Sequence, residues 1–195
     1  TPASFELAVS ADEATVSRLA ALGWNPRSSL QVSRDTDADR AGFRSRYCTA
    51  QVCPDPLHQP EDLLGFLRQQ AATRPQKVVV LPTSDLFFLF LSRHRAQLAD
   101  KFLMSLPSEE VAESVVNKRR LYELAAANDT PFPNSYFPGT YDEALAVKDS
   151  LRYPAFIKPY WGHEWRRHFG GGHKGFKVHS PDEFLGRFQE VLASG

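Results

Sequence analysis

The chain lacks an excess of either charge, has almost no cysteine and contains no long apolar run. Its 23 Lys and Arg are balanced by 23 Asp and Glu, so no global field favours DNA, RNA or an anionic membrane. Two cysteines, Cys48 and Cys53, are too few for a disulfide scaffold, and a lone C-x4-C has no second pair to complete a zinc knot. They read as free thiols of a reducing, cytoplasmic compartment. The most apolar stretch, VVVLPTSDLFFLFL, is interrupted by Pro82, Thr83, Ser84 and Asp85, well short of the roughly 20 apolar residues that a membrane helix needs. No signal peptide is evident. Three motifs are missing as well. SADEAT follows FELAV where a dinucleotide fold would carry G-x-G-x-x-G. G-x-S-x-G occurs nowhere. In GGGHKGF, glycine follows Lys174 where a Walker A loop needs a hydroxyl.

What is present is the make-up of a folded α/β chain. Hydrophobic residues are 42% and charged residues 24% of the 195 positions, enough for one moderate core or two small ones. FELAVS reads as a first strand and DEATVSRLAALG as a helix ending at Gly23; SLQVS and YCTAQVC read as further strands. PEDLLGFLRQQAA predicts a helix with Pro60 near its start, Glu61 and Asp62 in the first turn, and Leu63, Leu64 and Leu67 facing inward. KVVVLP is the clearest strand, and its valines suit an interior parallel strand covered on both faces. Thr83 or Ser84 caps the next helix, whose Phe87, Phe88, Phe90 and Leu91 suit either a core or a homodimer surface. This alternation predicts a small parallel α/β domain over residues 1–106.

A second unit, residues 107–195, begins near SLPSEEV. One helix is expected from Ser108 to Ala127, where NDTPFP stops it. GTYDEALAV carries Thr140 and Glu143 at capping-box spacing, PAFIKP and FKVHS read as a strand pair, and Ser180, Pro181 and Glu183 start a last helix.

Within this second unit, Val111, Val115, Lys118, Tyr122 and Ala125 recur at steps of four and three, which places a lysine on an apolar stripe. Either its methylenes cover apolar surface while the ammonium snorkels to water, or the ammonium reaches an anion. Lys158 closes a strand bounded by Pro154 and Pro159. It reads as an edge-protecting lysine or as a cation projecting from the sheet rim into a ligand site. Between Leu151 and Val178, six Lys or Arg stand against one Glu. Gly170, Gly171, Gly172 and Gly175, around His173 and Lys174, give the backbone freedom to turn amide N–H groups toward phosphate oxygens. A plain flexible hairpin is the competing reading. His163, His168 and His173 recur every five residues without an anchoring ligand pair for zinc.

The order and spacing of VVVLPTSD, LPSEEVAESVVNKRRLYELAAANDTPFP, YPAFIKPYWGHEWRRHFGGGHKGFKV and SPDEFL resemble the N-terminal half of an ATP-grasp enzyme, in the broad carboxylate-amine ligase and carbamoyl-phosphate synthase-like group. The resemblance covers most of residues 40–195. It implies a parallel pre-ATP-grasp α/β domain over 1–106, followed over 107–195 by the first ATP-grasp subdomain with its glycine-rich hairpin. Lys118 then matches the early basic residue that reaches nucleotide phosphate, and Lys158 the lysine contacting the α and β phosphates. Gly170, Gly171, Gly172, His173, Lys174 and Gly175 match the mobile loop over the β and γ phosphates. The insert YWGHEWRRHF is bulkier than the approach to the glycines in many members.

By the same resemblance, ATP and Mg2+ are the cofactors and small carboxylates and amines the partners, with neither nucleic acid nor membrane. A carboxylate would attack the γ phosphorus, and an amine would then attack the acylphosphate. The lysines would act as electrostatic stabilisers, none of them as a general base. The adenine-binding hinge and the Glu/Asn magnesium ligands are expected beyond residue 195. The chain starts at Thr1 without Met and stops just after a helical pattern, so it is expected to be part of a longer enzyme and inactive alone. Two other readings stand beside this one: a non-catalytic regulatory or partner-binding module, and a carboxylase-type component using bicarbonate.

Overall fold

Short strands and capped helices alternate along the chain in the computed structural model, which describes residues 29–33, 48–169 and 174–194. The FELAVS strand and the DEATVSRLAALG helix lie outside those residues. The chain separates into two compact units, Thr1–Ala112 and Glu113–Gly195.

In the first unit, β1 (Ser29–Ser33) pairs in parallel with β2 (Cys48–Val52), Ser29 opposite Cys48 and Ser33 opposite Val52. Helix α1 (Pro60–Ala72) follows with Pro60, Glu61 and Asp62 in its first turn, and it buries Leu63, Leu64, Leu67 and Ala71 along one face. Strand β3 (Val78–Val79) pairs in parallel with β4 (Phe102–Leu103). The crossover between them carries α2 (Asp85–Arg93) and the single turn α3 (Arg95–Leu98). Ser84 rather than Thr83 caps α2, its Oγ accepting the Phe87 N–H at 3.5 Å. Phe90 and Leu91 are buried in one cluster with the α1 leucines, Leu98 and Phe102, and Phe87 packs against it. The expectation of an interior strand covered on both faces meets a smaller sheet. Among the described residues β3 has one neighbour, and Leu103 on that neighbour is 48% exposed.

Helix α4 (Glu109–Val116) carries the boundary between the units, and α5 (Lys118–Ala127) opens the second. The single helix expected over 108–127 is therefore two helices. Asn117 between them is extended at φ −77°, ψ 114°. An asparagine amide competes with the helical ladder for nearby backbone groups, which makes it a poor interior residue and a good N-cap. The expected apolar stripe does not continue across this break, and Val111 and Val115 are 46% and 47% exposed.

Beyond α5 lie α6 (Tyr141–Val147), β5 (Ala155–Ile157), α7 (Gly162–Phe169), β6 (Phe176–Val178) and α8 (Pro181–Ala193). The strand pair is antiparallel as expected, with Ala155 opposite Val178 and Ile157 opposite Phe176. The helix α7 inside its connection was not expected. Trp165 is buried there, 4.4 Å between ring centroids from Phe169 and 4.9 Å from Phe176. Ala144, Ile157, Val178, Phe184 and Phe188 form the core of this unit.

Both expected capping boxes are present. Thr140 Oγ1 accepts the Glu143 N–H and Ser180 Oγ accepts the Glu183 N–H, each at 3.2 Å. The returning carboxylates accept one residue further out than the simplest box, from the Gly139 and His179 N–H groups at 2.6 and 2.7 Å. Among the described residues, no helix is long and apolar enough to cross a membrane.

Two substitutions separate packing from propensity. Leu98 is fully buried, so Leu98→Ala is expected to cost about 2–5 kcal/mol in chemical denaturation. Gly186 sits inside α8 with nothing within 4 Å of where a Cβ would lie, so Gly186→Ala is expected to stabilise by roughly 0.5–1 kcal/mol.

Candidate functional site

The strand that should project Lys158 is read most clearly two residues at a time. From 151 to 158 the even positions Arg152, Pro154, Phe156 and Lys158 are exposed. The odd positions Leu151, Tyr153, Ala155 and Ile157 pack into or against the core of the second unit. Strand β5 itself covers only Ala155–Ile157, where alternation turns Phe156 away from Ala155 and Ile157; Arg152 precedes the strand, ahead of the cis Tyr153–Pro154 peptide bond, and Lys158 follows it. The Lys158 Nζ stands 5.3 Å from the centroid of the Phe156 ring.

Lys118 reaches the same place from α5. It is the first residue of that helix, and its backbone N–H donates to the Tyr160 carbonyl at 3.2 Å. Asn117 Oδ1 accepts the next two N–H groups, those of Arg119 and Arg120, at 3.1 Å each. Lys118, Arg152 and Lys158 line one cavity of about 620 Å³. Tyr122, Phe137 and Tyr160 form its aromatic side, with Tyr122 and Phe137 at 6.3 Å and Phe137 and Tyr160 at 6.2 Å. Helix α7 adds His168 and Glu164, which is the one carboxylate among the described lining residues.

Charge pairing divides the unit's cations into two sets. Arg119 with Glu123, Arg120 with Glu113, Lys148 with Asp149 and Arg187 with Glu190 are ion pairs of 2.5–3.0 Å, and none of these residues lines the cavity. The hydrogen bond from Arg119 to Glu123 holds its guanidinium above its ordinary pKa, and that from Lys148 to Asp149 does the same for the ammonium. All four pairs are solvent-exposed and contribute little stability. Lys118, Arg152 and Lys158 have no carboxylate partner among the described residues. The cavity thus carries three such cations against the single carboxylate of Glu164, an excess of positive charge that suits an anionic ligand.

Gly170, Gly171, Gly172 and His173 lie outside the described residues. Lys174 is exposed. Gly175 is buried at φ +153°, and a Cβ there would run into the Ile157 carbonyl oxygen and lie 2.7 Å from Phe156 Cε1. Its lack of a side chain lets β6 begin against the end of β5. No group of three or more His, Cys, Asp or Glu suited to a metal ion occurs among the described residues.

Sequence reasoning singled out Lys118 and Lys158 but passed over Arg152 and the aromatic side. No local pattern marked Arg152, which stands ahead of the short strand β5 and not within it. Tyr122, Phe137 and Tyr160 are too far apart in sequence for any local pattern to group them.

Fold and site together define a mixed α/β chain, with small parallel and antiparallel sheets, whose second unit holds a cation-lined cavity. No family model matches it. The chain is 24% identical, over 161 residues, to the D-aspartate ligase of Enterococcus faecium (strain Aus0004). That alignment covers 75% of this chain and 37% of the ligase, so the chain spans a little over a third of that relative's length.

Asn117→Ala removes the acceptor for two backbone N–H groups, and a loss of about 1–2 kcal/mol is expected in urea denaturation. Gly175→Ala combines backbone strain with a clash against main chain, so a larger loss of roughly 2–4 kcal/mol is expected. A melting temperature unchanged by Gly175→Ala would show that β5 and β6 do not approach as described.

Proposed function

We propose that this chain is the part of an ATP-dependent ligase of the ATP-grasp superfamily that holds the nucleotide phosphates. One observation carries the reading: Lys118 and Lys158 come from different elements, lack carboxylate partners among the described residues, and line one cavity. The similarity to a D-aspartate ligase directs that cavity toward ligation rather than toward anion binding alone.

In this reading Lys158, exposed at the end of β5, contacts the α and β phosphates, and Lys118 approaches from the start of α5. Their positive charge offsets the charge that accumulates on phosphate oxygens during phosphoryl transfer. A substrate carboxylate oxygen bonds to the γ phosphorus as the bond to the β–γ bridging oxygen breaks, giving an acylphosphate and ADP. The amine then bonds to the acyl carbon, inorganic phosphate leaves, and the amine loses a proton, giving the amide. The glycine-rich segment, residues 170–175, closes over the β and γ phosphates and excludes water. Magnesium, when bound, draws charge from the phosphate oxygens. The described residues offer no acidic ligand set for it, so the roles given to this chain are electrostatic and positional. Small carboxylates and amines are the substrate classes, with D-aspartate the first to try.

Calorimetric titration with ATP is expected to give saturable binding. Lys158→Ala and Lys118→Ala should each weaken it by roughly tenfold or more, as expected for loss of a charge-assisted contact, without lowering the melting temperature. ATP affinity unchanged in both variants would remove the lysines from the site. In the whole enzyme, ADP release should depend on a carboxylate and an amine supplied together.

A further inference from the structure

The two lysines occupy only one end of β5. Lys158 follows the strand directly, and Lys118 is tied by its N–H to the carbonyl of Tyr160, two residues further on. Arg152 stands at the opposite end, three residues before the strand starts. Arg152 and Lys158 are both exposed, and both line the cavity.

The surroundings of Arg152 are built while its guanidinium is left open. Leu151 and Tyr153, its immediate neighbours, pack against the core of Ala144, Ile157, Val178, Phe184 and Phe188. The Tyr153 hydroxyl also donates to the Lys148 carbonyl at 2.9 Å. The backbone is therefore held on both sides of an exposed arginine. That arginine has no carboxylate partner among the described residues, although four other cations of the same unit each have one. Between Arg152 and Lys158 stands Phe156, 50% exposed.

We propose that Arg152 forms a second oxyanion subsite of the cavity, distinct from that of Lys118 and Lys158. Its ligand is a group with two coplanar oxygens, a carboxylate or a phosphate, which a planar guanidinium engages with two parallel N–H donors and a lysine does not. The cavity then has two anion-binding positions. It takes either two anionic ligands together or one ligand anionic at both ends. The proposal does not depend on what binds at the lysines, because it rests on Arg152 itself, an exposed cation of the cavity lining without a carboxylate partner among the described residues.

The test titrates the full chain and its Arg152→Ala, Arg152→Lys and Lys158→Ala variants with succinate, inorganic pyrophosphate and ATP. Arg152→Ala should weaken succinate or pyrophosphate by roughly tenfold or more, and the probe affected tells carboxylate from phosphate. Lys158→Ala should weaken that same probe clearly less than Arg152→Ala does. Arg152→Lys should recover only part of the affinity, and ATP should suffer less from Arg152→Ala than from Lys158→Ala. Arg152 is exposed, so unchanged melting temperatures are expected in all variants. The proposal is overturned if Arg152→Ala alters neither small probe, or if the unsubstituted chain binds neither at millimolar concentration. It is also overturned if Lys158→Ala and Arg152→Ala weaken the same ligands equally, since one shared site would then explain both. Binding of a small probe that requires Arg152, in a chain that does not bind ATP, would support this subsite while removing the nucleotide reading.

Discussion

The Asn117 side chain turns one helical sequence into two helices, and the geometry of the cavity depends on that break. A helix begins with N–H groups that have no partner of their own, and here each finds one. The Asn117 N–H donates to Glu113, completing α4; the Lys118 N–H donates to Tyr160; the Arg119 and Arg120 N–H groups both donate to Asn117 Oδ1. The bond to Tyr160 joins the start of α5 to the turn after β5, which is where Lys158 lies. Two lysines 40 positions apart in sequence thereby come to one cavity through backbone contacts that do not involve their ammonium groups.

The strand between Arg152 and Lys158 serves packing and site at once. Its odd residues pack into or against the core, and its even residues are exposed. This division lets uncompensated charges be held in register without burying them, because the desolvation cost of a cation falls steeply when its head group stays in contact with water. The capping carboxylates of Glu143 and Glu183 hold the chain entering α6 and α8, so the segments that frame this strand are fixed by local hydrogen bonds as well as by core contacts.

Much of the fold was legible because local signals agreed with it. Pro60 with Glu61 and Asp62, Thr140 with Glu143, and Ser180 with Glu183 marked helix starts, and the β5–β6 pairing followed from two short apolar runs. Two local features were misread. Unbroken apolar periodicity outweighed Asn117, although asparagine is better suited to a cap than to a helix interior. In the stretch before the glycines, basic residues obscured the i, i+4 spacing of Trp161, Trp165 and Phe169, which now belongs to the approach to α7 and to the helix itself. Of the candidate residues, Lys118 was reached through a stripe that the structure interrupts, yet it lines the cavity with Lys158. The aromatic side was not legible, since Tyr122, Phe137 and Tyr160 meet only through tertiary packing.

The complete use of the N–H groups at the start of α5 has a further consequence. A helix N-terminus ordinarily attracts anions through free amides aligned with its dipole. Here those amides are already bonded to Glu113, Tyr160 and Asn117. Any attraction of the cavity for an anion therefore falls to long side chains, of which Arg152 and Lys158 are exposed. Such a site is screened over about 10 Å at 0.1 M salt, and its grip varies with ionic strength more than that of a nest of backbone amides. It is also open to tuning, because a change of one side chain alters the charge presented to the ligand while the hydrogen bonds that build the frame stay in place.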